Sequence, residues 1–214
     1  MSVQIVTVES LPFAENSYVL WRSDRKEALV IDPGFQPELI VEVLQEHDLT
    51  VAAIWCTHGH VDHIAGNAEL KRRFPAAPLI IGQGDAPMLT DPMLNLSGPF
   101  GFEVVSPPAD RTVRQGDVLD AAGMRWRVEE IPGHSPGHVV YILQEPAEQL
   151  VLAGDVLFRG SIGRTDFPGG DFDTLVAGIR RVLWTLPPET VVYPGHGPTT
   201  TIGHERRTNP FVHE

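Results

Sequence analysis

Short apolar runs alternate along the chain with stretches of helical period. Runs at 17–21, 28–31, 51–56, 79–81, 124–131, 139–143, 150–153 and 191–193 have the length and composition of strands. Between them, 38–45, 64–73 and 175–184 repeat apolar residues at helical spacing. The last sets Leu175, Val176, Ile179, Val182 and Leu183 along one stripe, the mark of a helix lying on a core. Strands precede helices in both halves, which predicts an α/β or α+β fold with helices covering sheet faces. No sequence repeat relates the two halves. The segment 91–110 carries Pro92, Gly98, Pro99, Gly101, Pro107 and Pro108 and is expected to form a long surface loop.

Length and charge narrow the class of partner. A chain of 214 residues, 42% hydrophobic, can bury a core without disulfides and is expected to form one domain over residues 1–214. No apolar run approaches the ~18 residues of a membrane span, and the opening Met1-Ser2-Val3-Gln4-Ile5 lacks a basic segment of the kind that begins a secretory signal. Net charge is −12, and the arginines come as scattered pairs, a poor grip for a phosphate backbone. Neither nucleic acid nor membrane is expected as a partner. The single cysteine, Cys56, precludes an intrachain disulfide and suits the reducing cytoplasm.

The chemistry concentrates directly after the run at 51–56, in Thr57-His58-Gly59-His60-Val61-Asp62-His63. The H-x-H-x-D-H pattern arises by chance in roughly one such chain per thousand. Imidazoles at i and i+2 of an extended loop can aim at one point, while Asp62 and His63, at the start of the next helix, face a second. Imidazole and carboxylate suit zinc, iron or manganese. His134, Asp155 and His196 each follow an apolar run and a glycine, at strand ends where α/β folds gather ligands. With the first cluster they make a set large enough for two metals sharing one carboxylate.

Other features carry less. Gly133-His134-Ser135-Pro136-Gly137 has the form of a serine nucleophile elbow. The residue after the serine must lend a backbone N–H to an oxyanion, and Pro136 has none. Cys56 reads as a small buried apolar group, and His138 as a core residue or a support for the ligands. His47, His204 and His213 fall outside the metal motifs and are expected on the surface. Gly82-Gln83-Gly84 lacks the rest of a nucleotide loop.

Taken with Asp32 in Leu29-Val30-Ile31-Asp32-Pro33-Gly34, these motifs make the chain resemble the metallo-β-lactamase superfamily. The resemblance implies a four-layer αββα sandwich with metals at one edge. It implies that His58, His60 and His134 hold one divalent ion, that Asp62, His63 and His196 hold another, and that Asp155 bridges them. The ions would be zinc, with iron or manganese as alternatives, and Asp32 would orient ligands. Gly154-Asp155-Val156-Leu157-Phe158, Gly163-Arg164-Thr165-Asp166-Phe167 and the tail from Gly195 to Phe211 are similar to short glyoxalase II-like hydrolases. That likeness implies hydrolysis of a small anionic thioester such as S-D-lactoylglutathione, by a metal-bound hydroxide oriented by Asp62 and Asp155. Arg164 is the candidate for binding a substrate carboxylate. The glutathione-binding helical region of true glyoxalase II has no counterpart in this sequence. The alternative is a mononuclear-iron persulfide dioxygenase of the same superfamily, with His58, His134 and Asp155 as its facial triad.

Overall fold

The protein is described by a computed structural model covering residues 2–145 and 148–212. One sheet contains β1 (Val3–Ser10), β2 (Glu15–Arg22), β3 (Glu27–Ile31), β4 (Thr50–Trp55), β5 (Leu79–Gly82) and β6 (Arg111–Val113), in that spatial order. The first three are antiparallel neighbours, and β3 to β6 run parallel. The parallel part needs crossovers, and α1 (Pro37–Glu46), α2 (Val61–Ile64) and α3 (Asn67–Arg73) lie in them. The second sheet is built from β7 (Val118–Ala121), β8 (Met124–Glu130), β9 (Val139–Leu143) and β10 (Leu150–Gly154). A small hairpin, β11 (Leu157–Phe158) and β12 (Ser161–Ile162), and α4 (Phe172–Val182) separate these from β13 (Val191–Pro194), β14 (Thr200–Thr201) and α5 (Ile202–Thr208). Its spatial order is β14-β13-β10-β9-β8-β7, and only β10 and β13 pair in parallel.

Three apolar layers hold the sandwich together. Leu20, Leu29, Trp55, Trp126, Tyr141 and Leu152 meet between the sheets. Val19, Val30 and Ile54, from the opposite faces of the same strands, meet Ile40 and Leu44 of α1, Ile64 of α2 and Leu70 of α3. Val140, Val151 and Val192 meet Leu175 and Ile179 of α4. Strands covered on both faces are apolar at successive positions, so they read in the sequence as runs rather than alternations.

Three expectations need correction. The helix read at 64–73 is two helices, α2 and α3, parted at Gly66. A side chain there would strike Pro33 and the Gly34 carbonyl at 2.7 Å, and the Gly66 N–H donates to Pro33 O. The chain bends to seat that contact. The stripe at 175–184 belongs to a helix that starts at Phe172 and ends at Val182, with a 3-10 turn over Leu183–Thr185. The segment 91–110 has no helix or strand, yet it is not simply a surface loop. Asn95 is fully buried, its amide donating to Met88 O and Val104 O and its carbonyl accepting from Ser97 N–H and O–H. Of the histidines expected on the surface, His47 is exposed and His204 half-buried, while His213 lies outside the described residues.

Candidate metal centre

The site sits where strands of both sheets end. Asp32 follows β3, the loop 57–63 follows β4, Asp155 follows β10 and His196 follows β13, while His134 stands on the turn between β8 and β9. Asp32 adopts φ +48°, a conformation a non-glycine residue holds only when its surroundings fix it. Its carboxylate accepts from Thr57 N at 2.6 Å, Thr57 Oγ1 at 2.7 Å and His63 Nδ1 at 3.1 Å. Both oxygens are thereby engaged, one of them by His63, an arrangement that suits the orienting role implied by the family resemblance. Gly154 at φ +48° lets β10 pass against Thr57, where any side chain would strike Thr57 Oγ1.

Besides Asp32 with His58 and His63, a group whose carboxylate oxygens already accept hydrogen bonds, donor atoms converge in two sets, His58 with His60 and His134, and Asp62 with His63 and His196, each within 4.8 Å of one another. Asp155 lies between them. Its Oδ1 is 3.4 Å from His63 Nε2, and its Oδ2 is 3.5 Å from His134 Nε2 and 3.6 Å from His196 Nε2. Asp62 Oδ2 is 3.3 Å from His196 Nε2 and 3.7 Å from His63 Nε2. Backbone carbonyls fix the rings from behind: Arg164 O is 2.8 Å from His134 Nδ1, and Ala14 O is 3.2 Å from His196 Nδ1. That leaves Nε2 of both rings turned to the centre, the arrangement metal-ligating histidines use.

Electrostatics divide the two sets. Burial and neighbouring imidazoles hold His58 well below the ordinary histidine range, and burial with His134 brings His60 down to about 3. Burial alone would do the same to His63, but the carboxylates of Asp62, Asp155 and Asp32 outweigh it and lift it well above that range. His196 is also raised, Asp62 and Asp155 overcoming its burial. Burial would raise Asp62, yet His63 and His196 keep it below the usual carboxylate range.

A divalent ion fits this donor set on the evidence of its unpaired atoms. His58 Nε2, His63 Nε2 and Asp155 Oδ1 are buried without a hydrogen-bond partner. Buried polar atoms left unpaired are costly, and three in one imidazole–carboxylate cluster are what a cation would satisfy.

A family model described as the metallo-beta-lactamase superfamily matches residues 11–196. The chain belongs to the metallo-beta-lactamase superfamily. Hydroxyacylglutathione hydrolase GloC of Haemophilus influenzae is 36% identical over 214 residues, covering 99% of this chain and 98% of its own. The solved structure of BLEG-1 B3 metallo-beta-lactamase superposes with a TM-score of 0.92 at 38% identity, over 98% of this chain and 99% of that one. TTHA1623 in a di-iron-bound form gives 0.83 at 39% identity, over 96% and 99%. The coarse class is therefore a metal-dependent hydrolase, and the observed layers are the αββα sandwich that the sequence motifs implied.

Within this superfamily site, the side chains singled out in the sequence fall into distinct places. Ser135 is fully buried and donates to Asp85 Oδ2 at 2.6 Å, facing a carboxylate instead of the imidazole of a serine hydrolase. Cys56 is buried beside the Asn67 amide. His138 Nε2 accepts from the Asp155 backbone N–H at 3.1 Å, and so steadies the central carboxylate. The Arg164 guanidinium lines the cleft above the site, paired with Asp166 at 2.7 Å and 3.8 Å from the centre of the Phe167 ring.

Two buried acids escaped the sequence reading. Asp85 accepts from Gly59 N at 3.1 Å, Gly137 N at 2.5 Å and Ser135 Oγ, clamping the loop of His58 and His60 to the turn of His134. The signal for it was Gly82-Gln83-Gly84: both glycines abut the Gly137 backbone, where no side chain fits. Glu15 is fully buried 3.9 Å from His63 Nδ1, and burial raises its pKa well above the ordinary value. An isolated acid opening a strand gives no such signal.

Proposed function

We propose that this protein hydrolyses a small anionic thioester at a dinuclear centre held by His58, His60, Asp62, His63, His134, Asp155 and His196, with Asp155 shared. The observation that carries the reading is the completeness of both donor sets around one carboxylate, with buried atoms of each set left unpaired. Divalent ions held there supply a Lewis acid for a carbonyl oxygen and an activated water at neutral pH. Zinc suits the donors, and the di-iron-bound form of TTHA1623 makes iron the second candidate. Asp62, a carboxylate with one oxygen 3.3 Å from His196 Nε2, would accept a hydrogen bond from the attacking water. Asp155, steadied by His138, stands between the sets and aligns that water with the carbonyl. Arg164 offers charge to a carboxylate at the cleft mouth. A departing thiolate is stable enough to leave without a dedicated acid. GloC's name supports the thioester class, and its glutathione substrate is carried over only as a test compound.

Protein loaded with zinc, and separately with iron, should cleave S-D-lactoylglutathione or a simpler thioester under anaerobic conditions. Chelation should abolish turnover, and Ser135→Ala should keep it. His63→Ala and the more exposed His196→Ala should each lower metal content from two ions to about one and slow turnover by about 100-fold or more. Oxygen uptake with glutathione persulfide by a one-iron protein indifferent to His63 would move the chain to the dioxygenase class. Cleavage of a β-lactam with no thioesterase activity would equally overturn the proposal.

A further inference from the structure

We propose that the thioester's non-reacting part includes a bulky apolar group, of phenyl or six-carbon size, seated on a wall made by Phe13 and Phe100. This rests on the hydrolase reading above and names its substrate class. Above the donor sets the site opens into a cleft of about 200 Å3. Apart from the donors, its lining is Phe13, Val61, Leu96, Phe100, Phe167 and Arg164. Its one cation, Arg164, is already paired with Asp166.

The two sides of the cleft differ. Beside Asp62 and His196 the surface is apolar. Phe13 adjoins Ala14, whose carbonyl faces His196, and Leu96 adjoins Asn95, whose carbonyl accepts from Val61 N at 2.9 Å. Beside His60 and His134 stand Arg164 and Phe167, the latter ring 5.7 Å from that of His60. A carbonyl at the donor sets would thus have an apolar wall on one side and a cation on the other.

The wall extends past the cleft. The Phe13 ring lies 6.1 Å from that of Phe100 and 5.6 Å from that of Phe35, and Phe100 stacks with Phe102 at 6.5 Å. Phe100 is 52% exposed, and Met93 on the same segment is 64% exposed. Contiguous apolar surface of this kind marks a place that something apolar covers, and its continuity with the reacting centre makes a substrate the occupant. Asn95 pins the base of the segment with four hydrogen bonds, so the wall is held in place. A tripeptide thiol such as glutathione would bring two carboxylates and an ammonium to a mouth with one engaged cation, and desolvate them against phenyl rings.

The test uses metal-loaded protein and two substrate series. One varies the acyl group of N-acetylcysteamine thioesters through acetyl, hexanoyl and phenylacetyl. The other keeps the acetyl group and exchanges N-acetylcysteamine for 2-phenylethanethiol. In at least one series kcat/KM should rise about tenfold or more with apolar size, ahead of S-D-lactoylglutathione. Phe13→Ser and Phe100→Ser should each erase most of that ratio, and the exposure of Phe100 makes its replacement safe for folding. By calorimetry, 4-phenylbutyrate should bind the wild type about tenfold more tightly than Phe100→Ser. Flat series, a preference for the glutathione ester, or ratios unchanged in both variants would overturn the apolar wall. The last is the outcome expected if the rings served as an interface with a second copy. If no thioester is turned over, the hydrolase reading fails, and equal binding of 4-phenylbutyrate by wild type and variant still overturns the wall by itself.

Discussion

His58, His60 and His134 contain no carboxylate and share Asp32 and Asp155 as acidic neighbours, whereas Asp62, His63 and His196 contain one and stand among Asp32, Glu15 and Asp155. The difference decides which protons each set carries. In the first, burial and crowding disfavour protonation of His58 and His60, so neutral imidazoles already present the form that binds a metal. In the second, the acids favour the protonated forms of His63 and His196, so protons compete there with an arriving cation. The shared Asp155 gives the second set charge and the first a neighbour. One set is built to be ready, the other to exchange protons for metal.

The largest effect that sharpens this contrast is acid unfolding of the metal-free protein. His58 and His138 are held well below the usual histidine range, and His60 at about 3. Below pH ~6.5 the unfolded chain binds protons on these three imidazoles and the folded chain does not. Stability therefore falls as pH falls through that point, by about 1.4 kcal/mol per pH unit per group, or about 4 for the three. His63 has the opposite sign. Its folded value is raised, so its contribution is complete below ~6.5 and lost as pH rises through the folded value. It therefore adds no slope on the acid side, whereas buried Glu15, also raised, has the opposite sign there and offsets about one histidine, leaving a net fall of about 3 kcal/mol per pH unit. Urea unfolding of chelator-stripped protein at pH 7, 6 and 5 measures this, and a flat profile would break the contrast.

Next in size is Asp85→Asn. The carboxylate accepts from Gly59 N, Gly137 N and Ser135 Oγ, and so braces the loops of the histidine-only set. An amide turns one of those acceptors into a donor that confronts N–H groups. A loss of about 2–3 kcal/mol in stability is expected, with roughly tenfold weaker binding of one metal equivalent and little change in the other. Stepwise metal titration against a competing chelator separates the two. Equal weakening of both steps would show that the sets are not independently braced.

Why some of this was legible in the sequence, and some not, follows from range. The strands of the sandwich are covered on both faces, so β2, β4, β9 and β10 announced themselves as apolar runs. β1, an edge strand with only two of its eight residues buried, did not. The loop 57–63 was plain because its residues act within six positions of one another. His134, Asp155 and His196 were found because each follows a strand, where side chains gather, whereas Asp32 came only with the family resemblance. Asp85 and Glu15 were missed because their roles depend on Gly137 and Gly34, which are distant in sequence and pressed against them in space. The break at Gly66 likewise depends on Pro33, which no helical period can report.

The smallest expected effect concerns Arg164, on the histidine-only side. Its two contributions are separable because they come from different atoms. The carbonyl oxygen fixes His134 through Nδ1 and survives any side-chain replacement. The guanidinium is 55% exposed and pairs with Asp166, itself 67% exposed, so the solvent-screened ion pair adds little to stability. Arg164→Ala should therefore leave the unfolding midpoint almost unchanged and kcat within about twofold, with metal content at two. KM for an anionic thioester should rise about three- to tenfold, because the cleft loses its one cation. For an uncharged thioester of the same size KM should stay put, and raised salt should erase the difference between the two substrates in the wild type. A fall in kcat with both substrates would instead place the arginine side chain in the support of His134, and the histidine-only set would then depend on charge after all.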